Sequence, residues 1–216
     1  MTVSTPPKTS KGKSRQSQEV PGITRPMTYE EYLASPEEMS RLDIIDGWKV
    51  YRLYGEKQLA NPTRDHQDIQ GNIYVVFRSY ALATRQGRAI QAPCDVRITQ
   101  RPLRKRQPDV LLISSSRLAQ NLPPSNPAPL SPAPELIVEI VSPSDKPSVL
   151  AAKIADYRAV DVQEAWVVRS GPRTVEVLRL TVDEIESVRT YGLEEAVTSF
   201  SFPELTVAVN DIFFQG

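Results

Sequence analysis

The sequence predicts a mixed α/β domain of the α+β kind, with a mixed central β-sheet flanked by helices. Three stretches carry that reading. Leu136–Val141 is apolar on both faces except at Glu139, the pattern of a central strand covered on each side. From Thr63 onward, Ile69, Ile73, Val76, Phe77 and Tyr80 recur at three- and four-residue spacing, which predicts a long amphipathic helix ending near Gly87. Residues 148–158 place Leu150, Ile154 and Tyr157 on one helical face, and residues 165–168 follow as another buried strand.

The remaining elements fall in order around these three. Residues 1–25 are Ser, Thr, Pro, Lys and Gln with little to bury, and read as a mobile basic tail, either a solvated leader or a DNA-tracking arm. Residues 26–216 read as one domain. Thr28-Tyr29-Glu30-Glu31 has the form of a capping box, repeated at Ser35-Pro36-Glu37-Glu38, so two short helices are expected. Asp46-Gly47 suits the positive φ angles of a tight turn, giving a hairpin between residues 42–45 and 48–53. Strands are expected at 88–91, 95–98 and 110–113, with Arg101, Arg104, Lys105 and Arg106 on an exposed basic loop between the last two. Six prolines lie between 121 and 134, too many for a helix or ladder strand, which predicts a surface loop. After a turn at Gly171-Pro172, residues 174–180 and 187–191 resemble a peripheral antiparallel pair, and residues 202–214 close the fold.

A chain of 216 residues can bury a core without disulfide staples. Lys plus Arg equals Asp plus Glu, 26 against 26, so any nucleic-acid surface must be local. The single cysteine, Cys94, excludes an internal disulfide and a cysteine-rich metal cluster, which fits a reducing cytoplasm. Neither a bilayer-spanning run nor the apolar core of a secretory signal is evident, so a cytoplasmic location and no membrane partner are expected.

The chemistry rests on three residues. Glu139 sits among branched aliphatics where a soluble protein normally places another valine, and an ionised carboxylate there needs a partner or a metal. Asp109 follows a proline at the edge of another strand, and Lys153 lies on the helix after Glu139. Two acids at strand ends with an amine nearby suggest metal-assisted phosphodiester chemistry. Magnesium takes hard oxygen ligands from one or two carboxylates and from substrate phosphates, and an ammonium beside it can orient the attacking water. Plainer roles stand beside these. Asp109 could cap a strand or loop, Glu139 could pair with Arg97 or Arg158, and Lys153 could face solvent. His66, the chain's one histidine, could be a boundary residue of its helix, and the basic run at 101–106 could be solvated or hold DNA phosphates. No glycine-rich phosphate cradle is present, which argues against a nucleotide triphosphatase.

These residues stand within a larger ordered set: Thr28-Tyr29-Glu30-Glu31-Tyr32-Leu33, Leu42-Asp43-Ile44-Ile45-Asp46-Gly47, His66, Pro108-Asp109-Val110, the stretch from Pro134 to Ser144, then Lys153, Tyr157 and Ala165-Trp166. In that order, from about Thr28 to Phe213, the chain resembles the Uma-type putative restriction endonuclease family of bacteria, within the PD-(D/E)xK nuclease superfamily. The resemblance implies a restriction-endonuclease-like core with the hairpin and helices at its amino end as an extension. It implies Asp109 and Glu139 as acids binding Mg²⁺, with Mn²⁺ as a substitute, and Asp43 and His66 as supporting residues. Asp43 is then a candidate metal ligand, although the family usually has glutamate there. The superfamily's lysine normally lies two residues after the glutamate, where this chain has Val141, so that role passes to Lys153. The implied activity is hydrolysis of DNA to 5′-phosphate and 3′-hydroxyl ends, and cutting of both strands would favour a two-fold homodimer. The alternative is a nuclease-like fold without turnover that binds nucleic acid or protein.

Overall fold

The computed structural model describes residues 25–35, 42–51, 63–121 and 128–215. The basic tail through residue 24 and the second capping segment, residues 36–40, lie outside them. Helix α1 (Tyr29–Ala34) carries the first capping box: Thr28 Oγ1 accepts from Glu31 N at 3.1 Å and the Glu31 carboxylate accepts from Thr28 N at 2.9 Å. Strands β1 (Leu42–Ile45) and β2 (Trp48–Tyr51) form the expected hairpin, with Asp46 at φ 52° and Gly47 at φ 83°. A Cβ on Gly47 would stand 2.6 Å from Cβ of Pro26, so both the angle and the space call for glycine.

The long helix is α2 (Arg64–Thr84), opened by Thr63, whose hydroxyl accepts from His66 N. It ends on Arg85 in the left-handed region, and the chain turns into β3 (Gly87–Gln91). Next come β4 (Val96–Thr99), β5 (Arg104–Arg106), β6 (Val110–Ser114), the short α3 (Ser115–Leu118), β7 (Leu136–Val141), α4 (Pro147–Arg158) and β8 (Glu164–Arg169). The peripheral pair is β9 (Thr174–Leu180) and β10 (Ile185–Tyr191), and β11 (Ala196–Thr198), β12 (Thr206–Ala208) and α5 (Val209–Ile212) close the chain.

The largest sheet has the order β10-β9-β8-β7-β6-β3, with β7 and β8 parallel and every other neighbouring pair antiparallel. Helix α4 is the crossover that parallel pairing of β7 and β8 demands. This is the mixed sheet flanked by helices that the sequence predicts. A smaller sheet, β2-β1-β5-β4, holds the amino-terminal hairpin.

Strand alternation divides the core between two faces. Val110, Leu112, Leu136, Val138 and Ile140 point towards Ile69, Ile73 and Phe77 of α2, while Leu111, Ile113 and Ile137 pack with Ile154 and Tyr157 of α4. Phe77 meets Trp166 edge-on in the first layer, with ring centroids 5.3 Å apart. Glu139, between Val138 and Ile140, must therefore face α4. At the far end of β8 a second buried carboxylate, Glu164, accepts from Trp166 Nε1, Ser199 Oγ and Ser201 N, tying β8 to the loop between β11 and β12.

Two expectations change. Residues 104–106 are a strand rather than an exposed basic loop, because carboxylates meet their cations on both faces. Lys105 reaches Asp95 at 2.6 Å, Arg106 reaches Asp43 and Asp156, and Arg104 pairs with Asp46 and Asp156. Arg101 alone of the four stays at the surface, against Glu30. In the proline-rich stretch, Leu130 exchanges backbone bonds with Asp95 and Arg97 beside β4, and Ala133 is buried with its carbonyl accepting from Arg117, so residues 130–133 are fastened to the fold. Residues 122–127 lie outside the described region.

Candidate active site

Asp109 stands one residue ahead of β6. The β6–β7 register begins at Val110, which pairs with Val138, so Asp109 lies just ahead of the ladder and Glu139 just after Val138 in β7. The Asp109 backbone is held on both sides: its N–H donates to Val138 O at 3.0 Å, and its carbonyl accepts from Ala92 N and from Gln70 Nε2 of α2. Its carboxylate is fully buried. Oδ2 accepts from Ile140 N at 2.8 Å, and Oδ1 lies 3.4 Å from Nε2 of His66, also buried. The lone histidine thus faces the first acid of the candidate set.

Glu139 is 2% exposed and turned to α4. Lys153 Nζ donates to its Oε2 at 2.9 Å and the Tyr157 hydroxyl to its Oε1 at 2.7 Å. Four residues apart, Lys153 and Tyr157 project from one helical face and grip the two oxygens of the carboxylate together. The arginine partners weighed for Glu139, Arg97 and Arg158, are engaged elsewhere: Arg97 donates to Ser131 and Arg158 to the carbonyl of Asp183. Tyr157, placed on the α4 face and in the ordered set by sequence but given no role there, joins the candidate site through its bond to Glu139. Its i+4 spacing from Lys153 was the available signal.

Asp43 sits on β1, its Oδ1 accepting from Gln107 N at 3.1 Å and its Oδ2 from Arg106 Nη1 at 2.9 Å. It thereby holds the chain two residues before Asp109. The other side of the Arg106 guanidinium meets Asp156 of α4, Nε at 2.7 Å and Nη2 at 2.6 Å. Burial, the largest influence on Arg106, disfavours its charge, but Asp43 and Asp156 more than offset it and raise its pKa above the ordinary arginine value. Nearby, burial first and the Asp95 carboxylate second push the Tyr32 hydroxyl far above its usual range. Tyr32 donates to the same Asp95 oxygen that Lys105 contacts.

Asp109, just ahead of β6, and Glu139 in β7 offer hard carboxylate oxygens, a donor chemistry that suits a hard divalent cation. Among the described residues no three His, Cys, Asp or Glu side chains gather into a metal cluster.

A sequence profile of the Uma2 family, described as "Putative restriction endonuclease", matches residues 29–210. The chain belongs to the Uma2 family. The Uma2 match spans the fold from α1 to α5 and takes in every candidate site residue. Among solved structures, a putative nuclease of the DUF820 group from Anabaena variabilis is similar, with 23% sequence identity and a TM-score of 0.65. The alignment covers 87% of this chain and 98% of that one, so the two share a fold. No curated protein matches the sequence. Among the described residues of this Uma2 protein, no helix is long and apolar enough to cross a membrane.

Proposed function

We propose that this protein is a metal-dependent endonuclease that hydrolyses phosphodiester bonds of DNA. The observation that carries the reading is Glu139, buried in the central strand with Lys153 and Tyr157 on its two oxygens and the buried Asp109 carboxylate on the backbone N–H of its neighbour Ile140. The Uma2 assignment supports nuclease chemistry at the level of the family. Asp109 and Glu139 would hold Mg²⁺, or Mn²⁺ in its place, and the cation would polarise the phosphoryl oxygen and offset charge on the leaving alkoxide.

The chain's own groups do the rest. Lys153 has three N–H groups and uses one on Glu139; another can donate to the attacking water and stabilise negative charge as hydroxide forms. Tyr157 keeps the Glu139 carboxylate from rotating. His66 stands against the Asp109 oxygen that Ile140 does not occupy, and Asp43 supports the approach to Asp109 through Gln107 N. Attack on phosphorus breaks the bond to the 3′ oxygen and leaves 5′-phosphate and 3′-hydroxyl ends. Cutting of both strands would use two sites related by the two-fold axis of a homodimer.

A second reading, a nuclease-like fold that binds nucleic acid or protein without turnover, draws on Asp43, both of whose carboxylate oxygens accept from the chain's own groups. The deciding experiment is cleavage of supercoiled and single-stranded DNA with Mg²⁺, Mn²⁺ or EDTA, with Glu139→Gln and Lys153→Ala compared after circular dichroism confirms their folding. A nuclease cuts only with metal and loses about 100- to 1,000-fold in rate in either variant. DNA binding without cutting under every condition would replace it with the second reading.

A further inference from the structure

One buried arginine touches both halves of the candidate site. Arg106 is 6% exposed; one end of its guanidinium meets Asp43, whose other oxygen holds Gln107 N two residues before Asp109. Its remaining nitrogens meet Asp156, which lies on α4 between Lys153 and Tyr157. Arg104 fixes the second Asp156 oxygen at 2.9 Å. The flat guanidinium has donors for two carboxylates at once, which an ammonium cannot match in that geometry. Lys153 must project from α4 to reach Glu139 in the sheet, and among described contacts α4 meets the small sheet through β5.

We propose that Arg106 and Asp156 are positioning residues: with Asp43 they form an ionic clamp that sets the distance between the Asp109 strand and α4, and so aims Lys153 and Tyr157 at Glu139. Both clamp residues act through other side chains, Asp43 on one side and the α4 pair on the other. The clamp's catalytic consequence rests on the nuclease reading, whereas its effect on where Lys153 sits does not.

The test reads both. Asp156→Asn keeps the shape and removes the charge; Arg106→Lys keeps the charge and removes the fork. Glu164→Gln, which weakens the buried carboxylate network at the far end of β8, is the control for a general loss of stability. The amine reactivity of Lys153 is measured in the folded proteins with an acylating reagent and peptide mass spectrometry, alongside the melting temperature. In the native protein Lys153 is 5% exposed and hydrogen bonded, so it labels slowly. The clamp variants are expected to label several-fold faster at Lys153 at temperatures where they remain folded, and the control is not. Where DNA cleavage is observed, kcat falls by about 100-fold in the clamp variants, the scale of an ångström-sized misplacement, with KM for DNA near the native value. If either clamp variant proves unfolded, the other decides.

Lys153 labelling unchanged in a folded clamp variant, or raised equally in Glu164→Gln, overturns the proposal. Faster labelling specific to the clamp variants upholds it even if the native protein cuts nothing, an outcome that would sink the nuclease reading alone.

Discussion

Replacing Lys153 by methionine keeps most of the length of the side chain and removes its charge, leaving Glu139 buried with the Tyr157 hydroxyl still donating to it. Breaking one side of a buried ion pair costs about 3–5 kcal/mol, because the stranded charge keeps its desolvation penalty. The retained Tyr157 bond puts the expectation at the low end, about 3 kcal/mol. With a urea m-value of roughly 2 kcal/mol per molar for a domain of this size, the unfolding midpoint should fall by about 1.5 M. The double variant Glu139→Gln, Lys153→Met removes both charges while the glutamine oxygen still accepts from Tyr157. It should recover about 2 kcal/mol relative to the sum of the single changes. Fluorescence of Trp166, fully buried on β8 with Val138 of β7 as its register partner, follows the transition. A midpoint shift below about 0.3 M in Lys153→Met, or simple additivity in the double variant, would refute a buried charge pair at the centre of the site.

Three further outcomes are expected. Asp109→Asn should abolish metal-dependent cleavage while lowering the melting temperature by only a few degrees, since the amide oxygen can still accept from Ile140 N; full activity in a folded variant would remove Asp109 from the site. Gly87→Ala places a Cβ 2.5 Å from the carbonyl oxygen of Ile113 in the neighbouring strand, so β3 must shift, at a cost of about 1–3 kcal/mol by chemical denaturation; a neutral result would mean that this edge is looser than its register implies. Stability should also decline on the alkaline side. Burial, with Asp95 second, pushes the Cys94 thiol up to about 12, and Tyr32 is raised in the same direction. The folded protein keeps the Cys94 proton that the unfolded chain releases above about 8.5, so stability is full below that pH and falls by about 1.4 kcal/mol per unit above it. A melting temperature flat between pH 8 and 10.5, or an equal decline in Cys94→Ala, would contradict this.

The period of the apolar residues was enough to read α2, β7, α4 and β8, because each is buried along a face or along its whole length and its pattern is strict. Asp46-Gly47 disclosed its turn because few residue pairs accept two positive φ angles. The charged strand β5 was not legible. Arg104-Lys105-Arg106 looks like solvent-facing loop by composition, and its burial depends on Asp43, Asp95 and Asp156, which are far from it in sequence and announce nothing by local pattern. For the same reason the candidate acids and amine could be named from sequence, but the clamp around them could not. Tyr157 lay between these cases: its place on the helix face was readable, whereas its hydroxyl bond to Glu139 depends on how deep β7 lies beneath α4.

The two halves of the site also differ in time. Glu139 is 14 residues from Lys153 and 18 from Tyr157, all within β7 and the helix that follows it, whereas Asp43 is 63 residues from Arg106. Closing the longer loop costs roughly 1 kcal/mol more chain entropy than the shorter ones. The acid, amine and phenol can therefore come near one another while the amino-terminal half is still undocked, and their final aim waits for the clamp. During synthesis Asp43 and Asp109 leave the ribosome before partners that lie 63 and 31 residues later, Arg106 and Ile140. The segment from β7 to β8 is then a nucleus to which the rest of the chain attaches, and a slow step in folding should belong to the docking of the small sheet rather than to the Glu139 cluster.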